Sequence, residues 1–248
     1  MGPPTTKQAN LFSGVRVFYR EQGNTVNAPT ILLHGFPSSS HQFRNLMPLL
    51  ATKYRVVAPD LPGFGFTEAP SNFVYTFESL TATVADFLDL LEIQKFTMYI
   101  FDYGAPVGLR LALQRPDAIQ AIITQNGNAY LEGFGAAWQP LKDFWVSNDS
   151  LEDRKKIEDA MLTFEAIKFQ YENGTPDVPL FAIWGKNDVF FIPAGAEAFK
   201  RDLPSAEIKL IDAGHFAVES DTELIAQDIL TFLIEKTLWE LDVGMGVM

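Results

Sequence analysis

The chain has 248 residues, and 19 lysines and arginines against 31 acids leave it a formal net charge of −12. Without cysteine it can hold no disulfide, thiolate nucleophile or Cys-ligated metal, and without a basic surplus it lacks the face that nucleic-acid phosphates demand. Residues 1–10 have no apolar stretch like that of a signal peptide, and nothing approaches a membrane span of about 18 apolar residues, so the expectation is a cytoplasmic protein without a membrane partner.

Short β-rich runs alternate with helix-period segments, the pattern of a mostly parallel sheet with helices on both faces. Val15 to Tyr19 alternates like an exposed strand, and Thr30 to Leu33 is a short apolar run ending in His34-Gly35. Ser40 to Leu50 is predicted helical, and Tyr54 to Ala58 is the next strand, closed by Pro59-Asp60-Leu61-Pro62-Gly63. Leu80, Val84, Phe87, Leu88 and Leu91 share one stripe of an amphipathic helix. Phe96 to Phe101 is a strand, Gly104 to Gln114 a helix and Ile119 to Thr124 a strand. From Ala129 to Val178 the rhythm gives way to a polar, helical insert containing Trp138 and Trp145. It resumes with strand Leu180 to Trp184, helix Ala194 to Leu203, strand Glu207 to Ile211 and a closing helix from Asp221 to Leu238. Residues 1–128 and 179–248 thus form an α/β core, and 129–178 a helical cap or lid.

Ligands of open α/β sheets bind outside the carboxyl ends of the strands. Just past those ends stand His34-Gly35-Phe36-Pro37, Asp60, Asp102-Tyr103-Gly104, Asn126-Gly127-Asn128, Asp188 and Gly214-His215. Asp102, Asp188 and His215 follow the chain order of nucleophile, acid and base in hydrolases with a strand–turn–helix nucleophile elbow. Asp102 stands where that elbow usually carries serine. A carboxylate needs no deprotonation to attack saturated carbon, and the ester it leaves can be cleaved by water, whereas serine would be trapped as an ether. His215 would activate that water, and Asp188 would hold the imidazole's tautomer. Backbone N–H groups of Phe36 and Tyr103 would form the oxyanion hole, with His34 beside them at the substrate loop. The competing structural readings are that Asp102 caps the following helix, that Asp188 merely closes a turn and that His34 supports its loop. Asp60 is assigned to its turn.

The segments HGFPSS, APDLPGFGFT, FDYGAP, WGKNDVFF and AGHFAVES, in that order, resemble the epoxide hydrolase and haloalkane dehalogenase branch of the α/β-hydrolase superfamily, across residues 14 to 235 apart from the insert. The resemblance implies Asp102 as nucleophile, His215 as base, Asp188 as its acid, and neither cofactor nor metal. Ile100 stands where the elbow normally has glycine, which predicts crowding of strand against helix. Dehalogenases of this branch carry Trp after the nucleophile and Asn after the His-Gly, where this chain has Tyr103 and Phe36; its HGFP looks more like epoxide hydrolases. Haloacid enzymes hold their substrate's carboxylate with an Arg near the elbow, and the nearest here is Arg110. Epoxide hydrolases protonate the ring oxygen with lid tyrosines, for which Tyr130 and Tyr171 are the candidates, core packing being the equal alternative for both. Relatives carry a longer cap, so the lid looks truncated, with Phe134, Trp138, Phe144, Trp145 and Phe169 free to line an apolar pocket or to pack the lid onto the core.

The expected activity is hydrolysis of a small apolar epoxide through an alkyl-enzyme ester. Dehalogenation of an alkyl halide by the same triad is the alternative, and a catalytically inactive ligand-binding or interaction protein the rival from another class. A homodimer stays open.

Overall fold

The computed structural model describes residues 3–23, 29–135 and 179–242, with side chains to Lys236. Trp138, Phe144, Trp145, Phe169, Tyr171 and nearly all of the expected lid lie outside the described residues.

Eight strands form one sheet: β1 (Thr5–Asn10), β2 (Arg16–Gln22), β3 (Thr30–Leu33), β4 (Val56–Pro59), β5 (Phe96–Phe101), β6 (Ile119–Gln125), β7 (Leu180–Gly185) and β8 (Glu207–Ile211). Their spatial order is β1-β2-β4-β3-β5-β6-β7-β8, antiparallel across β1–β2 and β2–β4 and parallel from β4 onward. The helices are α1 (Leu46–Leu50), α2 (Phe77–Leu90), α3 (Gly104–Gln114), α4 (Pro193–Ala198), α5 (Ala217–Ser220) and α6 (Thr222–Asp242).

The period-two alternation of the central strands sorts their side chains into two apolar layers. Ile31, Leu33, Met98, Ile100, Ala182 and Trp184 join α2 and α3 in one layer. Leu32, Tyr99, Phe101, Phe181 and Ile183 join α1 and α6 in the other. The predicted stripe of α2 is its core face: Leu80, Val84, Phe87 and Leu88 are buried. The helix starts where the Thr76 hydroxyl accepts the N–H of Ser79, a side-chain N-cap.

Two expectations are corrected. Ser40 to Leu50 is a 3-10 turn, Ser40–Phe43, followed by the short α1, because the buried Asp60 carboxylate takes the Ser40 N–H at 2.8 Å and fixes the turn's start. The segment Ala194 to Leu203 also tightens into a 3-10 turn over Phe199–Arg201. At the start of the expected lid Ala129 and Tyr130 are buried, and Phe134 bridges Phe191 beyond β7.

Candidate active site

The nucleophile position is built by the backbone before its side chain matters. Asp102 ends β5 in the left-handed region, φ 47°, where an L-residue costs about 1–2 kcal/mol and Asp and Asn are the best tolerated non-glycines. The reversal from β5 into α3 is so tight that a Cβ on Gly104 would sit 2.3 Å from the Leu33 carbonyl oxygen. A Cβ on Gly35 would sit 2.3 Å from the Asp102 Cβ. Both glycines are therefore needed where the His34-Gly35 loop and the elbow meet.

Ile100 is accommodated by a third glycine. A Cβ on Gly108, one turn into α3, would lie 2.4 Å from Ile100 Cγ2. The space normally left by glycine in the strand is supplied here by glycine in the helix. The expected crowding is thus relieved in place, and Ile100 is no mark of a collapsed site.

Tyr103, the N-cap of α3, makes no side-chain cap, and the Asp102 carboxylate before it is turned to the loop and the imidazole. Its Oδ1 accepts the Phe36 N–H at 2.6 Å, and its Oδ2 lies 3.7 Å from His215 Nε2. Burial pushes its pKa up, while the N–H groups of Phe36 and Tyr103 and the facing imidazole pull it down. Both N–H groups expected in the oxyanion hole thus act on the carboxylate itself.

His215, between β8 and α5, presents Nδ1 to Asp188 Oδ2 at 2.7 Å. The carboxylate can only accept, so Nδ1 carries the proton and Nε2 is left to face Asp102. Four phenylalanine rings, of Phe101, Phe190, Phe191 and Phe216, lie with centroids 4.8 to 5.8 Å from the imidazole. They fix its plane and keep the surroundings apolar. Asp188 closes a turn and holds the base at once: Oδ1 accepts N–H groups of Phe190 and Phe191 at 2.8 and 3.1 Å, and Oδ2 serves His215.

Oδ2 has a second donor, and here sequence reasoning was incomplete. Asn126 donates its amide to Asp188 Oδ2 at 2.7 Å. The neighbouring Gln125 donates to the His215 carbonyl at 3.0 Å. Two amides closing an apolar strand were the available signal, but they read as an ordinary loop.

Two expected substrate contacts are corrected. His34 is fully buried; its Nε2 accepts the Leu61 N–H at 2.9 Å and its Nδ1 faces the Gly35 carbonyl at 3.1 Å. Burial lowers its pKa, so a neutral imidazole holds the loop and meets no substrate. Tyr130 is buried against Phe199 and donates to Asp202 Oδ2 at 2.8 Å. It is therefore unfit to protonate a leaving oxygen. The other two expected contacts, Trp138 and Tyr171, lie outside the described residues. Arg110 spans back to the Pro106 carbonyl and lies over Phe77. Asp60 ties its turn with bonds from the N–H groups of Ser40 and Phe66.

Among the described residues no group of three or more His, Asp or Glu could hold a metal, and no helix is long and apolar enough to cross a membrane.

A model of the alpha/beta hydrolase fold family matches residues 29–150. The chain is 40% identical to an uncharacterized hydrolase from Saccharomyces cerevisiae over 90% of its own length and 95% of the yeast protein's. That alignment runs over 275 positions, more than this chain contains, so the relative carries internal sequence that this chain lacks. A haloalkane dehalogenase from Psychrobacter cryohalolentis is 36% identical over 46% of this chain and 38% of its own. Among solved structures, an epoxide hydrolase from Vigna radiata superposes with a TM-score of 0.67 at 23% identity, covering 94% of this chain and 98% of its own.

Proposed function

The chain belongs to the α/β-hydrolase family and is an enzyme of it, and on that premise we propose that it opens a small apolar epoxide through a covalent ester on Asp102. The observation that carries this reading is the carboxylate at the left-handed elbow, with one oxygen on the Phe36 N–H and the other facing His215. At 3.7 Å the imidazole is not hydrogen-bonded to the nucleophile. A serine would need that bond to lose its proton; a carboxylate does not.

Asp102 Oδ2 attacks a ring carbon, the ring C–O bond breaks, and the opened oxygen takes a proton. With Tyr130 committed to Asp202, Tyr171 remains the candidate donor. Oδ1 stays on the Phe36 N–H and becomes the ester carbonyl, polarised at Cγ. Water gives its proton to His215 Nε2 and attacks Cγ; the oxyanion is held by the N–H groups of Phe36 and Tyr103. Collapse breaks the Cγ–Oδ2 bond, and the departing diol oxygen takes the proton left on the new carboxyl. The imidazolium returns its proton to the group that protonated the ring oxygen, which restores Asp102 and a neutral His215. Asp188, its oxygens filled by N–H donors, remains a carboxylate and offsets the imidazolium. Phe36, Phe190 and Phe216 are exposed around this constellation and favour an apolar substrate.

The second reading, displacement of halide from an alkyl halide, is favoured by the identity to the dehalogenase across part of the chain. The two separate by product: diol alone, or alcohol with halide. A single turnover with excess enzyme in ¹⁸O water tests the shared step. Label in the peptide containing Asp102 is expected; label only in product would refute the ester.

A further inference from the structure

We propose that Gln125 and Asn126 are positioning residues that register the base and its acid to one buried amide pair. This rests on the triad read above. Both side chains are fully buried. Asn126 leaves β6 in the left-handed conformation, φ 45°, which turns its amide across the end of β7. There its Nδ2 donates to Asp188 Oδ2 at 2.7 Å, and its Oδ1 accepts the Gly185 N–H at 2.9 Å. The same oxygen accepts from the Gln125 amide. Gln125 donates also to the His215 carbonyl at 3.0 Å, and its Oε1 accepts the Tyr99 hydroxyl at 3.1 Å.

The consequence lies in what this pair joins. Asp188 follows β7 and His215 follows β8, in loops joined by the Asn187 N–H donating to the Ala213 carbonyl at 3.0 Å. A Cβ on Gly185 would fall 2.1 Å from the Gly214 carbonyl oxygen, so these loops are already in close contact. Asn126 sets the rotation of the carboxylate whose Oδ2 it shares with His215, and Gln125 sets the height of the imidazole's own backbone. Loss of either bond lets the Nδ1–H···Oδ2 contact wander while substrate contacts stay intact.

The test uses the full chain with ¹⁵N-histidine and follows the His215 Nδ1 proton by NMR, alongside turnover of styrene oxide. Asn126→Gly keeps the left-handed backbone and removes the amide. Expected are solvent exchange of the Nδ1 proton at least about tenfold faster, kcat lower by about 100-fold and KM little changed. Wild-type exchange and kcat in a folded Asn126→Gly protein would overturn the proposal. Should that variant not fold, Asn126→Asp keeps the shape. Its new carboxyl faces Asp188, with His215, Asp102 and the Tyr99 phenol as the other titratable groups nearby, and like charge raises its pKa. Protonated at acid pH, it donates the same bond and the Nδ1 proton stays protected; as pH rises and the group ionises, protection is lost. Protection at every pH would overturn the proposal. The NMR arm needs no turnover, so a failed ester with a loosened proton counts against the proposed reaction alone.

Discussion

Gly108 carries the compensation for Ile100, and Gly108→Ala measures it. The new methyl would lie 2.4 Å from Ile100 Cγ2 and 3.2 Å from Met98 Sδ, against an ordinary carbon contact of about 3.5–4 Å. Neither side can yield easily. The helix is pressed to the Leu33 carbonyl at Gly104, and β5 is paired on both edges. Overpacking costs about 1–3 kcal/mol, and here the upper end applies. Alanine returns about 1 kcal/mol of helix propensity over glycine. A net loss of about 2 kcal/mol follows, a drop in Tm of about 4–8 °C for a chain of this size. Activity should fall further than stability, because Ile100 lies two residues before Asp102, near the end of the strand that leads into it. Thermal melts of Gly108→Ala, Ile100→Ala and the double variant form the assay. The double variant should recover at least about 1 kcal/mol relative to the sum of the single changes. A Gly108→Ala protein melting at or above wild type would refute the reasoning.

Gly35→Ala should leave the fold largely standing yet reduce kcat by about 100-fold, since its methyl would displace the Asp102 carboxylate; unchanged kcat would contradict the elbow geometry. Asp102→Asn should remove activity and raise Tm at neutral pH. Burial raises the folded-state pKa of Asp102, so its ionised form destabilises the fold at pH above the unfolded-state pKa of about 3.9. The advantage of the variant should shrink as pH falls into the carboxylate range, and melts at several pH values check this. Tyr130→Phe should cost about 1 kcal/mol through its lost bond to Asp202 and leave kcat unchanged. A large loss of kcat would return Tyr130 to the chemistry.

The central sheet was legible because its strands are apolar and bounded by turn residues. The candidate positions Asp102, Asp188 and His215, which the structure brings together, were legible because this architecture places ligands at strand ends. β1 was not: Thr5–Asn10 is polar and buries only Ala9, so its pairing is a backbone matter with no side-chain period to reveal it. Tyr130 misled because residue type names a chemistry while only packing shows where a hydroxyl points. Asn126 was passed over for the converse reason. Its role depends on a φ of 45°, and no composition rule distinguishes a buried amide from a loop amide.

The chain on either side of the insert is stitched to the core. The Gly135 N–H donates to the Phe190 carbonyl at 2.7 Å, the Ile192 N–H to the Gly133 carbonyl at 2.9 Å, and the Ile122 N–H to the Pro179 carbonyl at 2.9 Å. Departure and return of the chain are thus both fastened to the core by main-chain groups, which do not read the sequence between them. Residues 133 to 135 and Pro179 are held on the core on either side of the intervening chain. None of the described hydrogen bonds of the Asp102, Asp188 and His215 side chains involves a residue between 135 and 179.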